Sequence, residues 1–70
     1  SVLGMLLFED GEAMLVWFNR AREAVQAVMP DVPLAFSVAL VSDDTVEVAA
    51  PEEGAITLPP RSVTVLQAKT

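Results

Sequence analysis

Turn-forming residues divide this chain into short apolar runs, and that punctuation constrains its fold more than any other feature. Glu9-Asp10-Gly11 separates residues 3–8 from 12–18, and Met29-Pro30-Asp31-Val32-Pro33 breaks the chain again. Ser42-Asp43-Asp44 separates residues 34–41 from 45–49, Pro51-Glu52-Glu53-Gly54 makes another turn, and Pro59-Pro60 makes the last. Asp-Gly between apolar runs is a strong hairpin signal, since both residues tolerate positive φ.

The runs in the second half alternate with period two. Leu34, Phe36, Val38 and Leu40 alternate with Ala35, Ser37, Ala39 and Val41. Val46 and Val48 alternate with Thr45 and Glu47, Ile56 and Leu58 with Ala55 and Thr57, and Val63 and Val65 with Ser62 and Thr64. Such spacing, rich in β-branched residues, predicts strands with a half-buried face. The first half is open to two readings. Residues 13–18 are apolar at every position, which as a strand implies cover on both faces. Met14, Trp17, Phe18, Ala21, Val25 and Val28 also fit helical spacing. From Arg20 to Met29 the chain is Ala-rich, and Asn19 has the chemistry of a helix N-cap. Local propensity leaves that stretch undecided between helix and strand.

The chain has 70 residues, which makes one domain, and it contains neither Cys nor His. Disulfides and a zinc site of the usual kind are therefore excluded, so stability rests on an apolar core. With 53% hydrophobic and 20% charged residues, the composition is that of a folded chain. Four basic against ten acidic residues give a net charge of −6, which disfavours nucleic acid and anionic membranes as partners. No apolar run approaches the roughly 20 residues that span a bilayer. The lack of Cys fits a cytoplasmic location. The start, Ser1-Val2-Leu3-Gly4, lacks both an initiator Met and the charged beginning of a signal peptide, so the chain is expected to be part of a longer one.

Four stretches carry a family resemblance: Leu3-Gly4-Met5-Leu6-Leu7; Ala13-Met14-Leu15-Val16-Trp17-Phe18-Asn19; Glu23-Ala24-Val25-Gln26-Ala27-Val28-Met29-Pro30; and Ile56-Thr57-Leu58-Pro59-Pro60-Arg61-Ser62-Val63-Thr64-Val65-Leu66. In order and spacing the chain resembles the C-terminal β-domain of α-amylase-superfamily glycoside hydrolases, especially glycogen-debranching, isoamylase-type α-1,6-glucosidases. There the second stretch is an apolar strand ending in Asn. The third ends in Pro after a V-x-F-x-L-P run, and the fourth is a closing strand of the type L-x-x-R-S-V-x-V-L. Around Val41-Ser42-Asp43-Asp44-Thr45 the chain departs from the family, which has aromatic or Asp-Thr residues there. The resemblance implies a strand over residues 23–29, with Arg20-Ala21-Arg22 as a hairpin turn and Val25, Ala27 and Met29 on one face. The expected fold is all-β: a small, antiparallel, Greek-key-like β-sandwich of six or seven short strands, residues 1–70 forming one C-terminal domain.

The resemblance also implies a non-catalytic accessory role, packing on and stabilising the (β/α) barrel that carries the catalytic residues. The barrel is the expected partner, and α-glucan a further candidate. Glycosidases need carboxylates converging on one bond. The adjacent pairs Glu9-Asp10, Asp43-Asp44 and Glu52-Glu53 fall in turns and read as solvated charge. The sequence points to no catalytic residue, metal ligand or cofactor site; Asp10, Asp43 and Asp44 have oxygen donors of the kind calcium takes, but no ligand-dense loop surrounds them. Two residues stand out as domain-interface or sugar contacts: Trp17, the only Trp, and Arg61, at the entrance of the last strand. Two other readings compete with this one: an autonomous carbohydrate-binding module, and a free-standing α+β interaction protein with a helix from Arg20 to Met29.

Overall fold

The structure, a computed structural model, describes residues 2–43 and 45–69, and these form six strands and no helix. The strands are β1 (Val2–Glu9), β2 (Glu12–Asn19), β3 (Val25–Val28), β4 (Ser37–Val41), β5 (Ala55–Leu58) and β6 (Ser62–Lys69). They make an antiparallel sheet of order β1-β2-β6-β4 and a two-stranded antiparallel sheet β3-β5. The chain is thus a small all-β sandwich, as its punctuation predicts. The order is non-sequential because β6, last in the chain, inserts between β2 and β4.

Local chemistry sets the β1–β2 hairpin. Glu9 pairs with Glu12 across a two-residue loop in which Asp10 has φ 47° and Gly11 φ 78°. Two consecutive positive φ values define a type I′ turn, whose twist matches the strands. The same device recurs where Glu52 bridges Ala55, with Glu53 at φ 51° and Gly54 at φ 77°.

The core lies between the sheets. Leu15, Ala27, Ile56, Leu58 and Leu66 form its buried cluster, and Leu6, Trp17, Met29, Phe36, Val38 and Val48 pack against it. In β6 the buried face is Ser62, Thr64, Leu66 and Ala68, while Val63 and Val65 point the other way and stay half-buried. The hydroxyl of Thr64, fully buried, finds no hydrogen-bond partner among the described residues. A desolvated, unpaired hydroxyl costs about 1–3 kcal/mol. Thr64→Val keeps the shape and removes that cost, so it raises unfolding stability by about 1 kcal/mol in a urea titration; an unchanged or lower midpoint contradicts this.

Four expectations need correction. Arg20-Ala21-Arg22 is not a hairpin turn, because β2 and β3 belong to different sheets and the segment carries the chain between them. The strand after it is shorter than residues 23–29, although Val25, Ala27 and Met29 do share the covered face and Gln26 and Val28 the exposed one. A helix is absent because Val25 and Ala27 are claimed by Leu58 and Ile56 across the β3–β5 ladder. An isolated ten-residue helix is too short to compete with that pairing. Residues 34–41 do not form one alternating strand either. Val32 N–H bonds Pro30 O at 2.9 Å and Leu34 N–H bonds Val32 O at 2.8 Å, tight local turns that delay β4 to Ser37. A bulge between Val38 and Leu40 then turns Leu40 to solvent, 65% exposed.

Residues 45–49 are not a strand. The Asp43 carboxylate accepts the Thr45 hydroxyl at 2.6 Å and its backbone N–H at 3.1 Å, and Val46 N–H bonds Asp43 O at 3.3 Å. These local acceptors compete with a ladder. The hydroxyl and then the N–H of Thr45 hold the Asp43 carboxyl below its usual pKa. Asp44, the other half of that pair, lies outside the described residues.

At the last turn Pro60 is followed by Arg61 at φ 48°. Pro then positive φ is the type II pattern, which favours Gly or Asn at the second place. An L-residue in this region costs roughly 1–2 kcal/mol. Arg61→Asn therefore raises stability by about 0.5–1 kcal/mol, read as a higher melting temperature, and Arg61→Val lowers it.

Candidate interaction surface

The register of the four-stranded sheet places its residues in rows. On the side away from β3-β5, Leu3, Phe18 and Val63 form one row, and Met5, Val16, Val65 and Leu40 the next. Leu7, Met14, Gln67 and Ser37 follow, and Glu9, Glu12 and Lys69 close the face. Alternation in β1, β2 and β6 would ordinarily make this outward side polar. Here it is apolar across its first two rows and half of the third. Leu3 is 62% and Leu7 49% exposed. No second layer covers this side among the described residues. A contiguous apolar patch of this size marks an interaction site.

The ends of the face differ in charge. Beyond the Leu3–Phe18–Val63 row stand Arg20 and Arg61, both exposed; Glu9, Glu12 and Lys69 stand at the other end. At the basic end two open grooves meet at Phe18. One, of about 340 Å³, is lined by Phe18, Asn19, Arg20, Arg61, Ser62 and Val63. The other, of about 380 Å³, is lined by Val2, Leu3, Met5, Phe18 and Arg20.

Asn19 organises this end. It is 2% exposed, and its Nδ2 donates to Pro59 O at 3.0 Å, Glu23 O at 3.1 Å and Leu58 O at 3.3 Å. Its Oδ1 accepts the Ala21 N–H at 2.9 Å. That last bond spans the same two residues as a helix N-cap, yet here it closes an Asx turn. Arg61 N–H donates to Ala21 O at 3.0 Å, and Ser62 Oγ donates to Pro59 O at 2.6 Å. The end of β2, the segment crossing between sheets and the β5–β6 turn are thereby one hydrogen-bonded unit, which fixes where Arg20 and Arg61 emerge.

The two residues singled out in the sequence lie in different places. Arg61 is on the rim of the outer face. Trp17 lies on the inner face, packed against the core, with its indole N–H buried and without a hydrogen-bond partner among the described residues. Its ring also lines a groove of about 240 Å³ with Gly4, Leu6, Leu15, Val28 and Pro30. The aromatic presented outward is its neighbour Phe18. The sequence places Trp17 and Phe18 on opposite faces without saying which of them turns outward, because residues 13–18 are apolar throughout, and it gives no signal for Arg20. Phe36 packs against the core and Phe8, on the outermost strand, is 60% exposed.

Among the described residues no group of three or more His, Cys, Asp or Glu is placed to hold a metal ion, and no helix is long and apolar enough to cross a membrane. No family model, curated protein or solved structure matches the chain.

Proposed function

We propose that this chain is a non-catalytic accessory domain that docks through the outer face of its four-stranded sheet onto a neighbouring domain of the same polypeptide. The observation that carries the reading is the apolar outer face, with Phe18 as its aromatic residue and Arg20 and Arg61 on its rim. Nine apolar positions, on strands about 4.8 Å apart and in rows about 6.7 Å apart, give it roughly 300 Å². Counting both sides of a contact, roughly 600 Å² stands at the lower end of the range for domains of one chain, about 600–1,500 Å². It falls short of the roughly 1,200–2,000 Å² typical of stable complexes between separate proteins.

The resemblance to the terminal β-domain of glycogen-debranching, isoamylase-type glycoside hydrolases names that neighbour as a catalytic (β/α) barrel. In this reading the barrel hydrolyses α-1,6 linkages of glycogen-like glucans in the cytoplasm, and the present domain stabilises it. The chain is expected to bind, at micromolar concentration, an isoamylase-type barrel stripped of its own terminal domain, and to raise its melting temperature. Phe18→Lys, at a half-buried position on the outer face, weakens that binding at least tenfold while its far-UV circular dichroism stays that of the unsubstituted chain. Equal binding by the variant, or none by either chain, refutes the docking face. Titration with maltooligosaccharides leaves Trp17 fluorescence unchanged; a saturable shift assigns the chain to the carbohydrate-binding modules instead.

A further inference from the structure

The outer face does not account for every exposed apolar residue of β1. Phe8 is 60% and Val2 36% exposed, and both belong to the inner side, opposite Ala13 and Asn19. Leu3, Met5 and Leu7 are exposed on the outer side. A partner lying on one face leaves the other side of this strand bare; a strand added beside it covers both.

The backbone points the same way. β1 is the edge of its sheet, and β2 pairs with it over the full eight residues. In a two-residue hairpin the residues flanking the loop exchange hydrogen bonds, and bonded pairs then recur at every second position. From Glu9–Glu12 the bonded pairs are Leu7–Met14, Met5–Val16 and Leu3–Phe18. The N–H and C=O groups of Val2, Gly4, Leu6 and Phe8 therefore face away from β2, along an open edge. Natural edges are blunted by charge, Pro, bulges or shortness. The opposite edge, β4, has a bulge and five residues, and β3 and β5 have four residues each. From Val2 to Phe8, β1 has no charge, no Pro and no bulge.

We propose that β1 pairs antiparallel with β1 of a second copy, about a two-fold axis through Met5, to give a continuous eight-stranded sheet. The strand is complementary to itself in this register. Val2 meets Phe8 of the second copy and Gly4 meets Leu6, so each outward N–H and C=O finds a partner. Leu3 meets Leu7 and Met5 meets Met5 on the outer side, extending the apolar face without blocking it. A small residue opposes a large one on the inner side, where Leu6 of the second copy borders the groove beside Gly4 and Trp17. Glu9 falls beyond the last pair, so no like charges oppose each other in the ladder. The net charge of −6 on each copy opposes association at long range, so salt strengthens the pairing.

Sedimentation equilibrium of the full chain tests this. The expected result is a concentration-dependent dimer of twice the 7.5 kDa chain, tighter in 0.5 M than in 0.05 M sodium chloride. Register is read by oxidation of single-cysteine variants in a chain that has no native Cys. Residues facing each other in a non-bonded antiparallel pair have Cα atoms about 4.5 Å apart, within disulfide reach. Met5→Cys cross-links to a dimer, whereas Leu7→Cys, whose copies lie about 13 Å apart, and Leu40→Cys do not. A chain that stays monomeric at millimolar concentration overturns the proposal. So does cross-linking through Leu40→Cys or Leu7→Cys as fast as through Met5→Cys.

Discussion

Asn19→Ala is expected to lower the unfolding free energy by about 3 kcal/mol, and urea titration followed by Trp17 fluorescence measures it. The side chain is buried and serves four backbone groups from two segments: Ala21 N–H, and the carbonyls of Glu23, Leu58 and Pro59. Truncation takes this partner from the Ala21 N–H and from the Glu23 and Leu58 carbonyls, while Pro59 O keeps the Ser62 hydroxyl, and each buried group left unpaired costs about 1–3 kcal/mol. A domain of this size has roughly 4–10 kcal/mol in total. The loss is therefore about a third to three quarters of it and lowers the denaturation midpoint in the same proportion. Asn19→Asp separates hydrogen bonding from shape. An ionised carboxylate facing three carbonyls is disfavoured, so its pKa in the folded state is raised. A raised pKa means that stability is retained below the unfolded value and lost as pH rises through the folded one. This variant is consequently more stable at pH 4 than at pH 7. Wild-type-like stability of Asn19→Ala, or an Asp variant that is more stable at pH 7, contradicts the role assigned to Asn19.

Gly4→Val is the second substitution with a large effect. Valine has high strand propensity, worth up to about 1 kcal/mol over glycine in a strand. Gly4 is also not held at positive φ, so its backbone accepts any residue. Propensity alone thus predicts a gain. The indole of Trp17, cross-strand from Gly4, reverses the sign. A Cβ on Gly4 would lie 2.5 Å from Trp17 Cζ3, 2.8 Å from Cε3 and 2.9 Å from Cη2. The ring occupies the side-chain position that Gly4 leaves free. Forcing it aside exposes part of the core and strains its rotamer, an overpacking cost of about 2–3 kcal/mol net. Trp17 emission shifts to the red as the ring is displaced. In a Trp17→Ala background the same Gly4→Val change becomes neutral or stabilising, followed by far-UV circular dichroism. Destabilisation of equal size in both backgrounds shows that the ring is not the cause.

These two residues show where sequence reading succeeds and where it stops. The turns were legible because they depend on residues a few positions apart. Asp10, Gly11 and Gly54 adopt positive φ, as their chemistry allows, whereas Glu53 takes it against the preference of its residue type. Ile56 and Leu58 are buried as their alternation predicts. Thr45 to Ala49 misled because a side-chain acceptor two residues upstream outcompeted a pattern that describes only polarity.

The interaction surface was less legible still. Residues 13–18 are apolar at odd and even positions alike, so the sequence says that both faces are covered without saying by what. Only the pairing of β2 with β6 turns Phe18 outward beside Val63 and Trp17 inward onto Gly4. The same holds for Asn19, whose residue type announces a cap but whose partners Leu58 and Pro59 lie about forty positions away.

The sequence by itself determined the class of this protein: short strands, type I′ turns and an apolar core without disulfide or zinc. Those follow from conformational preferences and composition, which act over neighbouring residues. Tertiary structure alone decided that Arg20 to Met29 leaves one sheet for the other instead of coiling. It also decided which side of the larger sheet stays open and that β1 lies at its edge among the described residues. The physical reason is that hydrogen-bond partners and covered area belong to pairs of segments far apart in the chain, and no local preference encodes which segments will meet.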